Sequence, residues 1–230
     1  LEVRNRILVT AMGVSLSESD GHVGERLMAY HEEQAKGGAG LIITGVAGVA
    51  WPVGAVQPNQ TAISDDRFLP GLKQLTERVH RHGAKIAVQL HHGGLVAGYS
   101  SDAFDQDLWA PCYPPQLSGD FIDYFLPEEM AGFTGKMPRI KVLEPADIDL
   151  VVEQFGAAAA RAKAAGFDGI ELHGGHGYLL SSFMSPKTNS RSDEYGGPLE
   201  NRARLLLRVI AAVRAAVAAR AAAEAVCGGG

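Results

Sequence analysis

Between Glu171 and Arg204 the chain reads ELHGGHGYLLSSFMSPKTNSRSDEYGGPLENRAR, with two histidines three residues apart and a tyrosine two further on. Imidazoles and a phenol can donate hydrogen bonds to an oxygen and can move protons, so His173, His176 and Tyr178 together are the material of acid–base or oxyanion chemistry. Phe167 to Leu172 is a short β-rich run after the helix-ending Gly166, and side chains alternate faces along a strand. With Ile170 and Leu172 packed against helices, Glu171 and His173 point the other way. Gly174, Gly175 and Gly177 then let the chain turn tightly, which carries His176 and Tyr178 toward the space that His173 enters. Burying all three side chains for packing alone would leave polar atoms in need of partners.

The elements that must position these residues alternate strand and helix. Ile7 to Thr10 predicts a first strand, and Gly24 to Lys36 an amphipathic helix closed by Gly37 and Gly38. Leu41 to Thr44 is a second strand, Leu69 to His82 a second helix ended by Gly83, and Lys85 to Leu90 a third strand. A long connection, His91 to Leu143, leads to a helix from Pro145 to about Ala165, the strand before His173, and a helix from about Leu199. Strands separated by helices build parallel βαβ units. About four such units are visible, where a closed (β/α)8 barrel has eight. On the third strand Gln89 lies on the face opposite Ile86, Val88 and Leu90, which turns its amide inward. The aromatic residues of the long connection, Tyr99, Trp109, Tyr113, Phe121, Tyr124 and Phe125, predict a folded cap over the site, with a surface excursion as the alternative.

Four segments in this order, RNRILVTAM (Arg4 to Met12), GAGLIITG (Gly38 to Gly45), AVQLHHGG (Ala87 to Gly94) and HGGHGYLLSSFMSPKTNSRSDEYGGPLENR, resemble the Old Yellow Enzyme family of FMN-dependent oxidoreductases, whose fold is a TIM (β/α)8 barrel. The resemblance runs from Leu1 to about Val213. It implies an NAD(P)H:flavin oxidoreductase that reduces activated C=C bonds or related substrates, with FMN as cofactor and NAD(P)H as reductant. It implies that the backbone at Ala11, Met12 and Gly13 and at Gly45 and Val46 lies against the flavin, and that Gln89 hydrogen-bonds its ring. His173 and His176 match the pair that holds a substrate oxygen, and Tyr178 matches the proton donor. Ala11 replaces the family's usual proline, Gly13 stands where one branch has a cysteine, Ser15 where one branch has a substrate-touching tyrosine, and Leu95 where an arginine is common. Arg191, Asp193, Glu194, Tyr195, Glu200, Asn201 and Arg202 are the densest part of the signature and predict a salt-bridged structural loop.

A formal net charge of −5 offers no basic stripe for a nucleic acid, and the cluster Arg78, His80, Arg81 and His82 reads as a solvated helix face. No apolar run is long enough to span a membrane and no signal peptide is visible, so a cytoplasmic protein acting on a small molecule is expected. The two cysteines, Cys112 and Cys227, give neither a disulfide framework nor metal spacing.

Residues 1–213 are read as a partial FMN-binding barrel domain, and 214–230 as an alanine-rich atypical tail. The first residue is Leu and nothing strand-like follows the last helix, which reads as a fragment expected to bind FMN weakly or not at all. Two alternatives stand beside the flavoenzyme. One is a metal-dependent barrel hydrolase using His91, His92, His173 and His176. The other is a non-catalytic remnant of a flavoenzyme.

Overall fold

The computed structural model describes residues 1–113 and 138–227, with side chains to residue 218. Its centre is a five-stranded, wholly parallel sheet. Strand β1 (Leu8–Val9) pairs with β2 (Leu41–Gly48), β2 with β4 (Lys85–His91), and β4 with β7 (Gly169–Leu172). Because β4 runs along one edge of β2, the two-residue β3 (Thr61–Ala62) shares the other edge with β1.

Helices α1 (Glu25–Lys36), α2 (Leu69–Arg81) and α4 (Pro145–Ala164) join these strands as the periodicity predicts. In α2 the buried side chains Leu72, Leu75, Thr76 and Val79 make the one-sided stripe that drives a helix onto a sheet. A capping box between Glu144 and Asp147 starts α4, and Gly166, at φ +89°, ends it in a conformation that disfavours any side chain. The last helix, α7 (Arg204–Cys227), buries Leu205, Val209 and Val213, and packs on α4 where Gly156 meets Ala212. Four barrel-type strands, each leading into a helical segment, make the chain a partial TIM barrel, as the alternating pattern predicts. Among the described residues no helix is long and apolar enough to cross a membrane.

The structure adds elements the sequence does not announce. Strand β2 continues past Thr44 to Gly48 through a bulge between Ile43 and Val46, so Gly45 interrupts the ladder without ending the strand. The connection after β4 holds α3 (Gly98–Phe104) and a two-stranded parallel sheet of β5 (Leu108–Ala110) with β6 (Ile140–Val142). Tyr99 packs edge-on against Phe104, and Trp109 is buried. Phe121, Tyr124 and Phe125 lie outside the described residues. Two short helices, α5 (Leu179–Met184) and α6 (Leu199–Arg202), follow the histidine loop.

Of the basic cluster at the end of α2, Arg81 is exposed as the solvated face predicts, while Arg78, His80 and His82 are paired. Arg78 binds Glu25 through both guanidinium nitrogens, His82 binds Glu32, and His80 reaches Asp168 at 2.6 Å. Asp168 also accepts the Ile86 N–H and holds Lys85, which locks the start of β7 to the start of β4. At the same end, Arg4 donates to the carbonyls of Ala35, Ala39 and His82, tying the N-terminal segment to the ends of α1 and α2.

Candidate active site

Register across the sheet decides which side chains meet. Val46, Gln89 and Glu171 form one row over β2, β4 and β7, and the next step along the same face of β4 is His91. His173 follows β7 directly, its N–H bonded to the carbonyl of Leu90 at 3.0 Å. The Leu179 N–H bonds to the carbonyl of His92 at 3.0 Å, so the whole turn from His173 to Leu179 is stitched to the end of β4.

His173, His176 and Tyr178 converge as their spacing predicts. The His173 and Tyr178 ring centroids are 4.7 Å apart, His173 and His176 5.0 Å, and His176 and Tyr178 5.9 Å. His176 adopts φ +56°, a left-handed conformation rare outside glycine, which turns its ring back toward His173. The two imidazoles share a hydrogen bond of 3.1 Å between His173 Nε2 and His176 Nδ1, while His173 Nδ1 accepts the Gly175 N–H at 3.2 Å. Nδ1 of His173 therefore carries no proton, its Nε2–H points at His176, and the proton of a neutral His176 sits on Nε2. The pair thus offers one outward donor in this arrangement, where the family resemblance implies a pair that holds one substrate oxygen. Burial, with the neighbouring His176, pushes the His173 pKa down and favours the neutral ring.

A third imidazole joins them. His91 is 1 % exposed, its ring edge-on to Tyr178 at 4.4 Å and 5.7 Å from His173, and neither of its nitrogens has a partner among the described residues. Burial holds its pKa well below the usual histidine value, and His173 adds to the effect. His92 faces elsewhere. Its ring packs on Trp109 at 5.1 Å, and its Nδ1 accepts the Gly94 N–H. Four histidines on one metal ion are thereby ruled out as placed, and among the described residues no group of three His, Cys, Asp or Glu could hold one.

Gln89 is buried, and its carboxamide has no hydrogen bond among the described residues. The side chain of Glu171, next to it in register, has Oε2 buried without a partner among the described residues. Ala11, Met12 and Gly13 follow β1, with Met12 58 % exposed. Met12, Gly13, Gly45 and Val46 line one hollow, and the bulge in β2 brings Gly45 so close to the β1 loop that a Cβ there would stand 2.2 Å from the Met12 carbonyl oxygen. The charged signature after the histidines builds structure. Arg191 donates to the carbonyls of Pro111 and Leu143 and to Asp193, Asp193 accepts the Tyr195 N–H, and Arg202 reaches the carbonyl of Met184.

The model of the NADH:flavin oxidoreductase / NADH oxidase family matches residues 1–226. The chain belongs to that family. Among its relatives, the NADH oxidase of Thermoanaerobacter brockii is 39% identical over 217 residues, 94% of this chain and 31% of that protein. The NADPH dehydrogenase of Halalkalibacterium halodurans is 37% identical, over 92% of this chain and 56% of its own length. The solved Old Yellow Enzyme from Pichia sp. AKU4542 superposes with a TM-score of 0.82 at 30% identity, covering 94% of this chain and 54% of that one. This member of the NADH:flavin oxidoreductase family therefore spans between about a third and just over half of these relatives.

Gln57 sits in the irregular loop between β2 and β3 and reaches the hollow beside Gly13 only through tertiary folding. No local pattern marks it.

Proposed function

We propose that this chain is the part of an FMN-dependent oxidoreductase that holds the flavin ring against its substrate, and that the assembled enzyme uses NADH or NADPH to reduce an activated C=C bond of a small organic molecule. The observation that carries the reading is the carboxamide of the buried Gln89, without a hydrogen bond among the described residues and one strand step from the His91, His173 and Tyr178 cluster. A ligand edge with both a donor and an acceptor would pair with that amide.

When bound, FMN supplies reversible hydride chemistry between nicotinamide and substrate. Gln89 fixes the orientation of the ring, and the backbone at Ala11, Met12, Gly13, Gly45 and Val46 sets how closely it approaches. His176, through its outward Nε2–H, and His173, once its donor leaves His176, hold the substrate oxygen as negative charge develops on it. One such donor is worth about 2.7–4 kcal/mol of barrier in comparable sites. Tyr178 would give its proton to the substrate α-carbon, the acid half of a reduction whose hydride chemistry the bound FMN would supply. A phenol carries a hydroxyl proton that it can donate, which suits that acid.

Rapid mixing of the assembled, FMN-loaded enzyme that contains this chain tests the assignment in two halves. Tyr178→Phe is expected to slow oxidation of the reduced flavin by 2-cyclohexenone about a hundredfold or more, with flavin reduction by NADH or NADPH unchanged. Equal slowing of both halves, or of neither, refutes the role given to Tyr178.

A further inference from the structure

We propose that His91 is a positioning residue for Tyr178: its ring, carried on the end of β4, is the fixed wall that sets the direction of the phenol. This rests on the proton-donor role given to Tyr178 above. The two rings meet edge to face, with centroids 4.4 Å apart and planes at 83°. Among the described residues this is the shortest ring contact of Tyr178, ahead of His173 at 4.7 Å and His176 at 5.9 Å. Neither nitrogen of His91 has a partner among the described residues, so the imidazole meets the phenol as a ring and not through a hydrogen bond. Burial holds that ring neutral, and it supplies shape without charge beside the phenol.

The need for such a wall follows from the turn. Gly174, Gly175 and Gly177 surround His176, and both His176 and Gly177 take left-handed backbone, at φ +56° and +71°. A turn so rich in glycine is held at its exit, where the Leu179 N–H bonds to the His92 carbonyl, but a backbone bond does not fix the side-chain rotamer of Tyr178. The end of β4 does not share that freedom. On one side the His91 carbonyl accepts the Val49 N–H at 3.1 Å, and on the other the Leu90 carbonyl accepts the His173 N–H at 3.0 Å. The ring of His91 is enclosed as well, at 1 % exposure. Edge-to-face aromatic pairs are directional, so a phenol packed on this ring keeps one orientation relative to β4. Gln89 lies two residues earlier on the same face of that strand, and the phenol is thereby oriented relative to a ligand paired with Gln89. An acid displaced by about 1 Å can lose about 10²-fold in rate.

The test uses the assembled, FMN-loaded enzyme in rapid mixing with 2-cyclohexenone, and compares His91→Ala and His91→Phe in the wild-type and Tyr178→Phe backgrounds. His91→Ala is expected to slow oxidation of the reduced flavin about tenfold at saturating enone, with the half-saturating concentration and flavin reduction by NADH or NADPH unchanged. His91→Phe, which returns a ring edge without nitrogens, should recover most of that rate. In the Tyr178→Phe background His91→Ala should add less than about twofold, because the group it positions is gone. No slowing, equal slowing of both half-reactions, a loss that persists without the phenol, or a phenylalanine variant as slow as alanine each overturn the inference while the role of Tyr178 stands. If Tyr178→Phe alone has no effect, both fall. Should His91→Ala not fold, nuclear Overhauser contacts between the His91 and Tyr178 rings of the wild-type chain decide: they are expected, and their absence overturns the inference.

Discussion

Acid should unfold this protein partly through His92, and the size of the effect follows from where the ring lies. His92 is 3 % exposed and packed on Trp109, and burial lowers its pKa from 6.5 to about 4. The unfolded chain takes up this proton first, so the contribution of His92 to stability is complete above about pH 6.5. It declines as pH falls toward 4 and changes no further below that. Between pH 7.5 and pH 5 a single site with those two pKa values loses about 2 kcal/mol, and over the full window about 3 kcal/mol. For a domain of this size 2 kcal/mol corresponds to about 4–8 °C in Tm. Urea or thermal unfolding at several pH values measures it against His92→Asn, whose Oδ1 can still accept the Gly94 N–H now taken by His92 Nδ1 at 3.1 Å. Other buried imidazoles titrate in the same direction, so the quantity to read is the difference in slope. Wild-type and His92→Asn curves that run parallel from pH 7.5 to pH 5 would refute the argument.

Two further substitutions follow from close contacts. Gly45→Ala puts a methyl 2.2 Å from the Met12 carbonyl oxygen and 3.2 Å from the Gly13 Cα, so the β1 loop must retreat. The expected loss is about 1–3 kcal/mol in urea unfolding, with weaker FMN binding, and an unchanged midpoint would contradict the packing of this loop on β2. Arg191→Lys keeps the charge but cannot reach Pro111, Leu143 and Asp193 together. A loss of about 2 kcal/mol in the same assay is expected, and none would show that the three bonds are not held in solution.

Much of this architecture is legible in the sequence because its punctuation is local. Glycine at residues 37, 83 and 166 and proline at residue 145 stand at helix ends or starts, and the bounds of α1, α2 and α4 fall within a residue or two of those signals. The errors come where a local signal has two meanings. Gly45 looks like the end of β2, but parallel pairing with β4 on one side and with β1 and β3 on the other carries the strand through a bulge to Gly48. The basic residues of α2 look solvated because their acidic partners, Glu25, Glu32 and Asp168, come from distant parts of the chain. Strands β5 and β6 are three residues each and pair across a long insertion, too short for any periodicity to announce them.

The site divides along the same line. His173, His176 and Tyr178 lie within six residues, so one glycine-rich turn fixes their meeting and the spacing alone reveals it. Gln89 is legible because strand alternation gives its face. His91 and Gln57 depend on more than their own segments: His91 meets Tyr178 because β7 registers beside β4, and Gln57 meets Gly13 because Asn59 and Ser17 clasp two loops. The imidazole pair shows why composition alone gives too simple a chemistry. Two histidines suggest two donors, yet the Gly175 N–H occupies His173 Nδ1 and thereby aims the remaining proton of His173 at His176. An incoming oxygen must take that proton away from an existing acceptor, so its binding through His173 is an exchange of one hydrogen bond for another. Only the bond from His176 Nε2 would be gained outright, so under the proposed function the exposed, left-handed His176 is predicted to matter more to substrate binding, and His176→Ala to weaken it more than His173→Ala.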